Sequence, residues 1–290
     1  MYPSCHDRLG NSAVLGPEII SRTLSEVREF PKGRFQYHPR SDHHSRLACW
    51  CIAVDLMLSS KVLRSHVAEG KVTVGVNHQM LDFKLSRKKN LDLVIARPST
   101  NATTKSQTLS GLAKEIEVRL SPSEQQAFDE LPPVFKQPVG PVLVALEAKA
   151  CMTEHGKAKP RLYDELNSSQ QTVHGAADEA IACGLAMVNF ADTFISPTRH
   201  GGDNQVAVTS HLQPSAALGV IEKVRQLPRR TRVGDDGFDA LGIMVLSLNN
   251  DGSPASVVTK PPAPQLGDGD TYDEMILRAA SQYDSRFAGI

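Results

Sequence analysis

Cysteine is scarce in this chain and unpatterned. The five present, Cys5, Cys49, Cys51, Cys151 and Cys183, form no Cys-x-x-Cys pair. That excludes a regular disulfide framework and suits a reducing compartment. Cys49-Trp50-Cys51 is too tightly spaced for a zinc finger and falls in a stretch of helical periodicity. Net charge is lacking too. With 32 basic and 32 acidic residues, attraction to a polyanion must come from local patches rather than from the whole molecule. The apolar runs are too short to span a bilayer. The N-terminus, Met1-Tyr2-Pro3-Ser4-Cys5-His6-Asp7, has no basic region followed by an apolar core. The expectation is a soluble cytoplasmic protein with no membrane partner. A Gly-x-x-x-x-Gly-Lys-[Ser/Thr] phosphate loop is absent, which argues against ATP hydrolysis, and so is the Gly-x-Ser-x-Gly of a serine hydrolase. No internal repeat is visible.

What is present is an alternation of helical and strand patterns. Residues 1–45 are mixed and rich in His, Arg and Ser, and read as a loosely ordered arm with one short helix from Pro17 to Phe30. His43-His44 reads as solvated. From Arg46 to Val67 apolar residues recur at helical spacing (Leu47, Trp50, Val54, Met57, Leu58, Val62), with Gly70 as the stop. Two strand-like segments, Val72–Val76 and Leu81–Leu85, precede a turn at Arg87-Lys88-Lys89-Asn90 and a strand Leu91–Ala96, which predicts a hairpin. Pro98 to Thr104 reads as a loop. A helix over 123–131 is capped by Ser121 or Ser123 and stopped by Pro132-Pro133. A strand over 142–150 follows, then a helix opened by Pro160 and running to Val173, with Gly175 after it. Further on come an apolar strand Ile181–Phe190, a polar loop Asp192–Gln213 containing Gly201-Gly202, a helix over 215–227 and a strand Leu241–Leu248. A linker from Pro254 to Gly269 leads to a last helix Tyr272–Phe287. This order predicts an α/β fold, a mixed central β-sheet flanked by helices. Its main domain spans residues 46–250, followed by residues 251–290 as linker and terminal helix.

The chemistry concentrates in Val142-Leu143-Val144-Ala145-Leu146-Glu147-Ala148-Lys149-Ala150. Along a strand, residues i and i+2 share a face, so Glu147 and Lys149 point the same way and Ala148 the other. Leu91-Asp92-Leu93-Val94-Ile95-Ala96 supplies a second apolar strand with one acid. If the strands pair, Asp92 joins the other two. A charged pair can also be a solvated strand end. Five near-continuous apolar residues before it favour a functional reason for the charges. Two carboxylates offer oxygen ligands to Mg²⁺, which keeps several waters, and the Ala148 carbonyl is a third candidate ligand. Phosphodiester hydrolysis needs an activated water and positive charge against the developing phosphate charge. Lys149 suits orientation or deprotonation of that water, or charge stabilisation.

Leu91-Asp92 followed by Glu147-Ala148-Lys149, with a helix before and a helix and apolar strand after, resembles the PD-(D/E)xK nuclease superfamily over roughly residues 47–190. The resemblance implies a restriction-endonuclease-like core and Mg²⁺-dependent cleavage of DNA, with Mn²⁺ substituting. By position it implies Asp92 as metal-binding aspartate, Glu147 as second acid and Lys149 as catalytic lysine. It also implies a setting in restriction or antiviral defence, with partner proteins of such a system. Leu91 stands where the family has proline, and against the family's pattern the long spacing from Asp92 to Glu147 implies an insertion near 98–138. Some members add an acid from the first core helix; Asp55 is the candidate fourth metal ligand here, with a solvent-edge acid as the other reading.

Around this centre, Tyr163, Asn167, Gln170 and His174 form one helical stripe beside apolar Leu162, Leu166 and Val173. The polar stripe is a candidate nucleic-acid surface or an ordinary solvated face. Lys157, Lys159 and Arg161, read as a loop, and Arg87, Lys88 and Lys89, read as a turn, are candidate phosphate contacts. Arg225, Arg229, Arg230 and Arg232 form a further basic cluster. His155 alone reads as incidental, and Asp82 and His78 as structural or substrate-side. Enzymes that cut both strands of a duplex match its symmetry with two active sites, so a homodimer or higher oligomer is expected. The apolar stripe of the last helix reads as core packing rather than interface. Two other functions stay open: a nuclease-like subunit that binds nucleic acid or protein without cleaving, and a nuclease acting on RNA.

Overall fold

A computed structural model describes residues 14–30, 33–84, 86–100, 106–200 and 206–290. Cys5, Leu85, the 101–104 part of the predicted loop and Gly201-Gly202 lie outside the described residues. The centre is a six-stranded mixed sheet of order β10-β9-β6-β5-β4-β3. Its strands are β3 (Thr73–Asp82), β4 (Arg87–Pro98), β5 (Val139–Cys151), β6 (Ile181–Asn189), β9 (Ala240–Ser247) and β10 (Ser256–Val258). β5, β6 and β9 run parallel, while β3, β4 and β5 form an antiparallel meander. Two short hairpins stand apart from it, β1 (Arg28–Phe30) with β2 (Gly33–Phe35), and β7 (Thr193–His200) with β8 (Val206–Ser210).

Parallel strands buried on both faces read as continuous apolar runs, and β6 is buried along its whole length. On one face pack α1 (Gly16–Leu24), α2 (His43–Ser59), α3 (Lys61–Ala68), α4 (Thr108–Glu115) and α8 (Tyr272–Phe287); on the other pack α6 (His155–Ala176) and α7 (Ser215–Arg225). α5 (Pro122–Asp129) is capped by Ser121, one of the two expected candidates, in a reciprocal capping box with Glu124. α2 is buried nearly all round, and its Trp50 indole donates to the Leu109 carbonyl at 2.9 Å. The insertion after β4 therefore acts as a lid over α2: Leu109, Leu112 and Ile116 join the same core.

The structure corrects several boundaries. The described part of the arm packs into the core through Ile19, Ile20 and Leu24, and its helix stops at Leu24. The helix over 46–67 is two helices, because the Ser60 side chain caps α3. Arg87-Lys88-Lys89-Asn90 is strand, not turn, since β4 begins at Arg87. Pro160 sits inside α6 rather than opening it, so Lys157, Lys159 and Arg161 are helical. The stretch 192–213 contains the β7–β8 hairpin. The apolar stripe of α8, with Met275, Ile276, Ala279, Tyr283 and Phe287, is buried on its own core. Among the described residues no helix is long and apolar enough to cross a membrane.

Candidate active site at a fork in the sheet

β4 and β5 pair as far as Leu93 opposite Leu146. Beyond that point each strand keeps its outer partner, β4 with β3 and β5 with β6, and the sheet forks. Asp92 and Glu147 are the next residue of each strand. The fork is held by a hydrogen bond from the Ala148 N–H to Asp92 Oδ2 at 3.1 Å. Asn77 of β3, with a positive φ of 49°, lies between the paired positions opposite Leu91 and Leu93 and marks an irregularity beside Asp92.

The N-terminus of α2 points at the same place. Ser45 Oγ donates to Asp92 Oδ1 at 3.0 Å, and the helix dipole adds partial positive charge there. Glu147 is 2 % exposed. Lys149 Nζ lies 2.7 Å from its Oε1 as an ion pair, outside hydrogen-bonding geometry, and Glu147 Oε2 has no hydrogen-bond partner. Lys89 Nζ is 3.9 Å from Glu147 Oε1 and donates to the Glu165 carbonyl at 2.6 Å.

The electrostatics follow from burial. Desolvation raises the Glu147 carboxyl above its ordinary value and Asp92 pushes it further, against Lys149. Desolvation likewise raises Asp92, opposed by Lys149, the Ala148 N–H and Ser45. Burial pulls the Lys149 ammonium down, but Glu147 first and Asp92 second reverse this and leave it above its usual value. Lys89 is lowered, chiefly by desolvation. His44 is lowered to about 3 by burial, then by the charge of Lys149 and by His43, so its imidazole is neutral.

Sequence reasoning thus placed Asp92, Glu147 and Lys149 together, and the structure brings them to one point. Lys89 belongs to the centre rather than to a distant phosphate track. Ser45 and Glu165 carry no spacing signal; only the fold sets Ser45 on Asp92 and the Glu165 carbonyl on Lys89. Four assignments are corrected. Asp55 accepts from the Leu15 and Gly16 N–H groups at 2.8 and 2.9 Å and from the Tyr272 hydroxyl at 2.9 Å. It anchors the start of α1, and ten residues of helix, roughly 15 Å, separate it from Ser45. Gln170 is buried, accepting from the Gly237 N–H at 3.0 Å, and His174 is buried with Nε2 2.9 Å from the Gly237 carbonyl; neither offers a nucleic-acid contact. His43-His44 is not solvated, since the His43 ring meets the Ile116 carbonyl at 2.9 Å. Each arginine of the cluster is paired with an acid: Arg225 with Asp268 and Asp270, Arg229 with Asp270, the buried Arg230 with Asp239, and the exposed Arg232 with Asp235.

The remaining candidates lie around α6 and β4. Tyr163 faces α7, with Lys223 Nζ 4.2 Å from its ring centre. Asn167 accepts from Gln170 at 3.0 Å. Arg161 pairs with Glu165 at 2.6 Å and Lys157 with Glu154 at 3.6 Å. Arg87 Nη1 lies 3.4 Å from Gln171 Oε1, and Lys88 is exposed. The buried Asp82 accepts from the Lys84 N–H at 2.9 Å and shapes the β3–β4 turn, a structural role.

Among the described residues no group of three or more His, Cys, Asp or Glu side chains converges as a metal site. The donor set that does converge is two carboxylates beside backbone. It fits Mg²⁺, which takes few protein ligands and completes its shell with water. The buried Glu147 Oε2 without a partner is the observation that fits it. Comparison with known proteins returned no matching family model, no matching curated protein and no matching solved structure.

Proposed function

We propose that the chain is a Mg²⁺-dependent endonuclease acting on DNA, with Asp92 and Glu147 holding the cation and Lys149 beside them. The observation that supports this best is Glu147 itself: a buried carboxylate with one unpartnered oxygen, next to a second carboxylate also raised by burial. Buried charge left incomplete is costly, and it persists where function needs it.

When bound, Mg²⁺ supplies Lewis acidity and a more acidic water. The protein's own groups do the rest. Ser45 and the Ala148 N–H fix the Asp92 carboxylate through its two oxygens. Lys149, paired with Glu147 at 2.7 Å, offsets part of the negative charge of the two acids and is placed to hydrogen-bond a water or a phosphate oxygen. Lys89, tied to the Glu165 carbonyl, holds a second ammonium at the fork, where positive charge opposes negative charge growing on the phosphate. A cytoplasmic defence setting, a homodimer or higher oligomer and Mn²⁺ in place of Mg²⁺ belong to the same proposal.

The test is direct. Purified protein should cut duplex DNA with Mg²⁺ or Mn²⁺ and stop with EDTA, and Glu147→Ala and Lys149→Ala should remain folded and inactive. Parallel assays on single-stranded DNA and RNA identify the substrate. Cleavage by Glu147→Ala equal to the parent's would remove the assignment.

A further inference from the structure

A second site lies at the start of α6. Glu154, His155 and Gly156 meet the end of β8 and the start of α7 around a cleft of about 400 Å³, a size that accepts a small ligand. Lys157 and Lys159 line it. Lys159 is half-buried against Gly219 of α7, 3.7 Å from where a Cβ would stand there, and no ion-pair or hydrogen-bond partner takes its ammonium among the described residues. The one carboxylate on the rim, Glu154, pairs with Lys157 at 3.6 Å. The first N–H groups of α6 have no side-chain cap, and a helix start with free N–H groups favours anions.

His155 gives the independent sign of a ligand. It lines the cleft and is 5 % exposed. Its Nε2 lies 2.7 Å from the Asn189 carbonyl, which can only accept, so that nitrogen carries the proton. Its Nδ1 is buried without a hydrogen-bond partner, while the neighbouring His211, ring to ring at 4.6 Å, has both nitrogens engaged. A phosphoryl group supplies what Nδ1 lacks in either state: an oxygen to accept from an imidazolium, or a P–OH to donate to the neutral ring.

We propose that this cleft binds a phosphoryl group, held by the start of α6, Lys159 and His155. It lies roughly 15 Å along α6 from Glu165, ten residues on, so it is separate from the fork and does not depend on cleavage. A terminal phosphate of a nucleic-acid strand and free phosphate share this chemistry.

The test uses Glu147→Gln protein, which leaves the probes intact, titrated calorimetrically with inorganic phosphate, with 5′-phosphorylated dithymidine and with the same dinucleotide lacking the 5′-phosphate. The His155 imidazole is followed by NMR. Gly156→Asp puts a carboxylate into open space, since nothing lies within 4 Å of a Cβ there; an acid in the first helical turn favours the fold. Phosphate-bearing probes should bind and shift His155, and both Gly156→Asp and Lys159→Gln should weaken them roughly tenfold to a hundredfold. Tighter binding of the phosphorylated dinucleotide than of inorganic phosphate assigns the site to a strand end; equal binding assigns it to free phosphate. Absence of binding at millimolar probe, or binding by both variants equal to that of Glu147→Gln alone, would overturn the proposal. Mg²⁺ uptake by the parent without phosphate reports on the fork alone, so the two readings fail separately.

Discussion

Glu147 and Asp239 are both buried carboxylates next to the central sheet, and both face cations. Their wiring differs. Asp239 Oδ1 takes the Arg230 and Arg286 guanidinium groups at 2.8 and 2.6 Å, and Oδ2 accepts from the Ala182 N–H at 2.8 Å. Arg230 in turn donates to the carbonyls of Asp178 and Ala180. Every oxygen of that carboxylate is used. Glu147 has an ion pair on one oxygen and nothing on the other. The first arrangement is a finished structural clamp that ties α8 and the Arg230 loop to β6 and β9. The second is a site with a valence left over. Completeness of hydrogen bonding, rather than burial or charge, separates the two.

Substitution should therefore give opposite results in the two places. Glu147→Gln should cut cleavage by roughly a hundredfold to a thousandfold while leaving the urea unfolding midpoint unchanged or higher, because it removes a charge that burial disfavours. Asp239→Ala should cost about 3–5 kcal/mol of stability, because it leaves buried Arg230 with only the more distant, partly exposed Asp178 at 3.6 Å. If Glu147→Gln unfolds as readily as Asp239→Ala, the contrast is lost.

Lys149→Met sharpens the comparison. Removing the cation should destabilise the fold by about 1–3 kcal/mol, and millimolar Mg²⁺ should restore more stability to this variant than to the parent, since the cation replaces the missing charge. Equal Mg²⁺ stabilisation of the two proteins would contradict a shared electrostatic role.

A pH profile gives a smaller effect. Asp92 and Glu147 both sit above their ordinary values of 3.8 and 4.5, so protons compete with the cation at higher pH than for free carboxylates. The acid limb of Mg²⁺ uptake should lie above that ordinary range, and a limb within it would refute the burial argument.

The smallest effect concerns Asp55, raised to about 7 by burial against its three hydrogen bonds. The folded state holds this proton more tightly than the unfolded state, so stability should fall as pH rises from the ordinary carboxylate range through about 7. Asp55→Asn should flatten that slope in thermal unfolding; an unchanged slope would assign it to other groups.

Much of the central sheet was legible because buried strands announce themselves as apolar runs: β5, β6 and β9 lie within a residue or a few of their predicted spans. The convergence of Asp92, Glu147 and Lys149 was legible for a related reason, since strand alternation fixes which side chains share a face. What stayed hidden depended on partners distant in sequence. Gln170 and His174 have the spacing of a solvated stripe, and only the segment at Gly237, which carries no periodicity, turns them into core. Asp55 looked like a ligand because its real partners, Leu15, Gly16 and Tyr272, come from both ends of the chain. Pro160 was misleading because proline favours a helix start, whereas α6 tolerates it within the helix.

The proposed endonuclease needs a divalent cation held at the fork by Asp92 and Glu147. Calorimetric titration of the purified protein with Mn²⁺ or Mg²⁺ at neutral pH tests it most directly. The expected result is saturable uptake that Glu147→Gln abolishes while folding is retained. Uptake unchanged in that variant, or no uptake by the parent, would contradict it.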